Sequence, residues 1–122
     1  MQIEEFEKMV QEALEGIPDK YRKILREEKI EILPRENAPP GMKEKFPNKT
    51  VFGIFVGMSL KHKTVFSIQT EPTRIELYKE SFEKVFGTKV SEAIKEQISR
   101  TVIHEIAHYL GFTEEEIHKR GY

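Results

Sequence analysis

The spacing of apolar residues predicts amphipathic helices towards both ends of the chain. Pro18 suits the first turn of a short second helix, and Ser91 suits the N-cap of a long one that runs through Leu110. The first helix is predicted to end near Gly16. Its apolar residues recur at helical spacing: Ile3, Phe6, Val10, Leu14 and Ile17.

Short runs of β-branched and aromatic residues predict strands between these helices. Residues 30–33 form the first strand, which is expected to end at Pro34. Residues 34–49 contain four prolines and are expected to be irregular. Residues 51–56 form a second strand, which looks buried.

Two further strands and a short helix complete the predicted elements. Residues 65–69 and 73–78 are the strands, Pro72 fits the turn between them, and residues 81–86 form one or two helical turns. Strands flanked by terminal helices, without a regular alternation of strand and helix, predict an α+β fold. The length allows one domain, residues 1–122.

Composition narrows the chemistry. The chain has no cysteine, so any metal must be held by nitrogen and oxygen atoms. The net charge of −1 argues against nucleic-acid binding that is driven mainly by electrostatic attraction. No apolar run is long enough for a bilayer and the N-terminus is unlike a signal peptide, so a cytoplasmic protein without a membrane partner is expected. All but Asp19 of the 21 acidic residues are glutamate, and such Glu/Lys enrichment is typical of thermophiles.

The most specific chemical pattern is a His-Glu-x-x-His motif in the last long helix. His104 and His108 are four residues apart, so both imidazoles face one side of a helix and can reach one metal ion. Glu105 is suited to act as general base towards a water molecule. Gln97 and Thr101 share the polar side with the histidines, opposite the apolar stripe. The histidines are therefore expected in a cleft.

Catalytic zinc takes three protein ligands, so a third ligand is needed. Gly111 suits the left-handed turn that ends a helix and reverses the chain, and Glu114 is the first acidic residue after it. In the extended His-Glu-x-x-His-x-x-Gly-x-x-His pattern, this is the position of the third ligand. His118 is the main alternative. Water and three other residues also remain open: His62, Glu115 and Glu116.

Residues 99–114 resemble the motif region of the small bacterial zincin-like proteins, predicted zinc-dependent peptidases with a matrix-metalloprotease-like domain. Residues 53–60 and 73–78 resemble two strands of the same family. The resemblance implies Zn²⁺ and a minimal zincin-like fold, a small, mostly antiparallel mixed sheet packed on helices with the motif helix beneath it. The family usually has aspartate where this chain has Glu114, and no methionine follows Met58, so the Met-turn of metzincins is absent.

The sequence thus predicts a zinc metallopeptidase that acts on a peptide or protein, with Glu105 as general base and the ligands named above. One alternative is a non-catalytic metal-binding or interaction module of the same fold. Another is a metal-dependent nuclease, which the near-neutral charge disfavours. No oxyanion stabiliser is evident, and the three candidates are better explained as structural: Tyr78, Arg74 and Tyr109.

Overall fold

A computed structural model describes residues 1–57 and 73–122 of the chain. The predicted strand at residues 65–69, the turn at Pro72 and the residue His62 lie outside the described residues. The described elements are α1 (Ile3–Gly16), α2 (Asp19–Glu27), β1 (Glu31–Arg35), α3 (Met42–Lys45), β2 (Gly53–Val56), β3 (Arg74–Tyr78), α4 (Lys79–Phe86), α5 (Glu92–Tyr109) and α6 (Glu114–Lys119).

The three described strands form one mixed sheet in the order β1-β3-β2. β1 runs parallel to β3, with Ile32 beside Ile75, and β2 runs antiparallel to β3, with Phe55 beside Ile75. β3 is therefore the central strand of this group. The single mixed sheet and its surrounding helices confirm the predicted α+β class.

The sequence placed the end of β1 too early. The strand continues through Pro34 to Arg35 and pairs with β3 over its whole length. Proline has no backbone N–H, but β1 lies at an edge of the described sheet, where one side of the strand needs no partner. The following segment is also not wholly irregular, because Met42–Lys45 forms the short helix α3.

The long helix α5 packs on the sheet and on α1 through the apolar stripe that the sequence predicted. Ile94, Ile98, Val102 and Ile106 are fully buried in the core. Thr101 lines the cleft, as its place on the polar side of the helix predicted, but only 8% of it is exposed. It is buried because α5 approaches β2 very closely there.

Gly53 shows how close that approach is. A Cβ atom added to it would lie 3.4 Å from the Thr101 methyl group and would collide with the Glu76 carbonyl oxygen. Only glycine fits between β3 and α5 at this point.

Among the described residues, no helix combines the length and apolar character needed to cross a membrane.

Candidate metal centre

Two helices and the glycine turn between them position the side chains of the site. α5 carries His104 and His108, one helical turn apart. Gly111 follows with φ of 96°, in the left-handed region that favours glycine. The chain reverses there, as the sequence predicted, and Thr113 becomes the N-cap of α6. This reversal brings Glu114, the first residue of α6, back towards the two histidines.

The capping box at Thr113 stabilises the start of α6. Its hydroxyl accepts a hydrogen bond from the backbone N–H of Glu116 at 3.2 Å, and the Glu116 carboxylate accepts one from the Thr113 N–H at 3.1 Å. These reciprocal bonds satisfy two N–H groups that would otherwise lack partners. The cap therefore holds Glu114 in place without using its carboxylate.

The side chains of His104, His108 and Glu114 converge on one point. The two Nε2 atoms lie 3.1 Å apart, and Glu114 Oε1 lies 3.0 Å from the first and 2.6 Å from the second. Tetrahedral zinc ligands about 2.0–2.1 Å from the ion lie roughly 3.3 Å from one another. Within the described residues, this is the only group of three or more potential ligands that meets so closely.

The chemistry of this group fits a cation. A neutral imidazole that keeps its proton on Nδ1 presents a lone pair at Nε2, and an ionised carboxylate presents only lone pairs. Three such acceptors within 3.1 Å of each other repel unless a proton or a metal ion lies among them. Two imidazole nitrogens and one carboxylate oxygen are ligands that zinc accepts.

His118, the alternative third ligand, lies at the margin of this group. Its Nε2 is 3.8 Å from Glu114 Oε2, and its ring centre is 6.4 Å from that of His104. The side chain is 69% exposed. His118 therefore contacts the second oxygen of the Glu114 carboxylate and does not join the three converging atoms.

The other candidates for the third ligand are engaged elsewhere or not described. Glu115 pairs with Lys119 at 3.4 Å on the surface of α6. Glu116 is held in the capping box with Thr113. His62 lies outside the described residues. Of the candidates that the structure describes, Glu114 alone has an oxygen within hydrogen-bonding distance of both motif histidines.

Glu105 is half-buried beside the histidines. Burial raises the pKa of its carboxyl group, and the opposing effects of His108, His104 and a hydrogen bond from the Phe55 backbone N–H do not cancel that rise. A raised pKa makes the carboxylate a stronger base than an ordinary glutamate.

Glu114 behaves in the opposite way. Burial alone would raise the pKa of its carboxyl group, but hydrogen bonds and charge interactions with His104 and His108 outweigh burial and lower it. These hydrogen bonds need a proton on Nε2, and a bound cation would take the place of such protons and likewise favour the ionised carboxylate that a metal ligand requires. Two neighbouring carboxyl groups whose pKa values are pushed apart can take different roles, one as ligand and one as acid–base group.

These side chains open into a cleft of about 540 Å³ between α5 and the segment that leads into β2. His104, Glu105 and His108 line one wall, while Phe52 and Gly53 are on the other. The volume lies within the range of small-ligand sites. The histidines therefore face an accessible cleft, as the helical wheel predicted.

The sequence model of a family described as zincin-like metallopeptidase matches residues 28–122. The match covers all the described strands, the motif helix α5 and α6. The chain belongs to this family of zincin-like metallopeptidases. A search of curated proteins found no match. Family membership confirms the resemblance drawn from the sequence.

The three candidate oxyanion stabilisers of this zincin-like protein are engaged in other contacts. The Tyr109 hydroxyl donates to Glu28 at 2.5 Å, and the Tyr78 hydroxyl donates to Glu76 at 3.2 Å. Arg74 also donates to Glu76, at 2.8 Å. None of the three lines the described cleft, so their structural interpretation fits better.

The cleft also contains two positively charged residues that the sequence analysis did not select. Lys49 lies on the wall formed by the segment before β2, and Arg100 lies on α5. Arg100 comes four residues before His104, so the helical spacing that identified the histidine pair could also have placed it on the same face. No comparable sequence pattern marks Lys49.

Proposed function

We propose that this protein is a zinc-dependent peptidase whose active site is the cleft over α5. The main support for this proposal is that three potential ligand atoms, the two histidine Nε2 atoms and Glu114 Oε1, lie within 3.1 Å of each other. The half-buried carboxyl group of Glu105 lies beside them. His104, His108 and Glu114 would hold the ion. When bound, Zn²⁺ would supply Lewis acidity towards the scissile carbonyl group and towards water.

Glu105 is the general base in this proposal. Its carboxylate accepts the proton of the attacking water and later delivers it to the leaving amine. The raised pKa that burial produces suits both transfers, because the group must hold a proton between them.

The peptide substrate lies extended in the cleft, along β2. This strand forms one wall, and among the described strands it pairs only with β3. An extended peptide can use backbone groups at a strand edge as hydrogen-bond partners. This arrangement directs the scissile bond towards Glu105 and the histidines on the opposite wall.

The experiment that tests the proposal compares wild type with Glu105→Gln. We expect the purified variant to retain zinc, measured by elemental analysis, and to lose at least about 10³-fold in hydrolysis of unstructured peptides. Glu115→Gln is a matched control because Glu115 is exposed on α6 and outside the cleft. Its activity should match wild type.

Two results would overturn the proposal. If wild type binds zinc but cleaves no peptide, the chain is a metal-binding or interaction module without catalysis. If it cleaves RNA and leaves casein and peptides intact, it is a nuclease. An RNA substrate therefore belongs in the same assay.

A further inference from the structure

We propose that the cleft selects peptides that carry a carboxylate about two residues from the scissile bond, and that Arg100 binds this carboxylate. The inference deepens the proposed peptidase function and rests on it. Arg100 and Lys49 are the two cations of the described cleft lining, and its two acids, Glu105 and Glu114, belong to the candidate metal centre. Beyond the metal centre, the charged residues of this lining are therefore positive.

The position of Arg100 sets the distance of the carboxylate from the reaction. Arg100 precedes His104 by four residues on α5, which is about 6 Å along a helix axis. An extended peptide advances about 3.3 Å per residue. β2 follows α5 in the same direction, because Gly53 lies beside Thr101 and Phe55 beside Tyr109. A peptide along β2 whose scissile bond lies beside His104 and Glu105 therefore brings a group about two residues away to Arg100.

The guanidinium group of Arg100 retains hydrogen-bonding capacity. Its Nε lies 3.4 Å from the Glu96 carboxylate, and its Nη1 lies 3.5 Å from the Gly121 carbonyl oxygen. Both contacts are long, and the Arg100 side chain is 50% exposed, so each is weak in water. Nη2 has no hydrogen bond within residues 1–57 and 73–122. A carboxylate can therefore bind through two parallel N–H groups.

Lys49 adds a second positive charge on the opposite wall. It is exposed and forms no ion pair with another residue in the described part of the chain. A flexible ammonium group acts as a point charge without fixed geometry. Lys49 therefore strengthens attraction of an acidic peptide, while Arg100 sets where its carboxylate binds.

The cleft does not end at Arg100. A second cavity of about 280 Å³ is lined by Phe86, Ala93 and Glu96, and it shares Gln97 and Arg100 with the main cleft. Arg100 thus lies where the two cavities meet. The bound carboxylate can be an acidic side chain of a longer peptide or the terminal carboxylate of a shorter one.

Matched peptides distinguish an acidic side chain from a terminal carboxylate as the group that Arg100 binds. The peptides of the first kind have amidated ends and carry either glutamate or glutamine two residues from the cleavage site, with one such pair for each side of that site. A further pair ends two residues after that site, with a free or an amidated carboxyl group. Cleavage is measured as kcat/KM, and binding to the zinc-loaded Glu105→Gln protein is measured by fluorescence anisotropy.

We expect the carboxylate peptide of one pair to be preferred about 10-fold in both measurements. Arg100→Gln should remove this preference, because it should lower the kcat/KM and the affinity for the carboxylate peptide and leave those for the amide peptide unchanged. Lys49→Gln should reduce it about 2- to 3-fold. Arg26→Gln removes a charge from an exposed position of α2 that does not line the cleft, and it should leave the preference unchanged.

The outcomes distinguish this inference from the proposed function. Carboxylate selection is overturned if carboxylate and amide peptides have equal kcat/KM and equal affinity, or if the preference persists in Arg100→Gln. Cleavage of these peptides would still support the peptidase function. Binding that depends on Arg100 without any cleavage supports carboxylate recognition and overturns the peptidase. The pair that shows the preference identifies the carboxylate as internal or terminal.

Discussion

The carboxylates of Glu76 and Glu114 each lie close to two or more polar side chains, but the side chains around them differ in chemistry. Glu76, on β3, accepts hydrogen bonds from Arg74 at 2.8 Å and from the Tyr78 hydroxyl at 3.2 Å, with Arg35 3.7 Å away. Only 10% of its side chain is exposed. Because guanidinium groups are always charged, this carboxylate is neutralised without any added ion.

Glu114 lies among partners that carry no fixed charge. Its side chain is 59% exposed, and its closest contacts are the Nε2 atoms of His104 and His108. Neutral imidazoles offer lone pairs to a cation, whereas arginine offers only donors. A carboxylate cluster thus indicates a metal centre when its other members are also potential ligands, and a structural ion pair when they are permanent cations.

The two clusters should differ most in their contribution to zinc affinity. His104→Ala or His108→Ala should weaken zinc binding more than about 100-fold, because each removes one of the three converging atoms. Glu76→Gln should change it less than 2-fold. Competition with a chelating dye measures all three affinities. A loss of zinc affinity with Glu76→Gln as large as that of the histidine variants would show that the two clusters do not differ in this way.

The second prediction concerns Gly53, which lies between the two clusters. Gly53→Ala places a methyl group against the Glu76 carbonyl oxygen and 2.9 Å from Leu77 Cδ2, so β2 must shift. We expect the free energy of unfolding in urea to fall by about 2–3 kcal/mol. Because Gly53 also lines the cleft, peptide hydrolysis should fall as well.

Gly16→Ala is the matched control for Gly53→Ala. Gly16 is the last residue of α1, and an added Cβ there meets nothing within 4 Å. Its free energy of unfolding should stay within about 1 kcal/mol of wild type. Equal destabilisation by both substitutions would mean that close packing between β3 and α5 is not what requires glycine at position 53.

The third prediction identifies the third ligand. Glu114→Ala should lower zinc affinity about 10- to 100-fold, since two ligands remain. His118→Ala should lower it less than about 3-fold, because its contact is with the other Glu114 oxygen, at 3.8 Å. The same dye competition measures both variants. A larger loss with His118→Ala would make His118 the third ligand.

Local patterns predicted much of the site because its parts are close in the sequence. The spacing of His104 and His108 depends only on helical periodicity, which also placed the apolar stripe of α5 correctly. Thr113 and Glu116 form a capping box within a single turn. Their arrangement could be predicted because each contact joins residues at most four positions apart. The ligand and base roles of these residues stay predictions.

Contacts distant in sequence were not predictable. Thr101 is buried because β2 approaches α5 through Gly53, a packing relation that helical periodicity cannot show. Pro34 is tolerated within β1 because the strand is at the edge of the described sheet. The choice between Glu114 and His118 depends on how far the turn at Gly111 brings α6 towards α5. A single sequence does not determine these distances.

The contribution of the Glu76 cluster to stability should depend on pH. Burial opposes ionisation of Glu76, but hydrogen bonds from Arg74 and Tyr78 and the charges of Arg74 and Arg35 outweigh it and lower its pKa. An unfolded glutamate has a pKa of about 4.3, so the unfolded chain binds the proton first as the pH falls. The stability that Glu76 contributes is therefore complete well above pH 4.3 and is lost as the pH falls through the folded pKa.

Glu76→Gln should consequently lower the free energy of unfolding by about 1–2 kcal/mol at pH 7, because charge-assisted hydrogen bonds are replaced by weaker ones. The difference from wild type should shrink as the pH falls below about 5, because the unfolded wild-type chain then binds a proton that the folded Glu76 carboxylate does not. Urea unfolding at pH 7, 5, 4 and 3 measures this, with Glu7→Gln on the exposed side of α1 as control. A difference that stays constant down to pH 3 would show that the Glu76 charge does not stabilise the sheet, and the contrast with Glu114 would then rest on exposure alone.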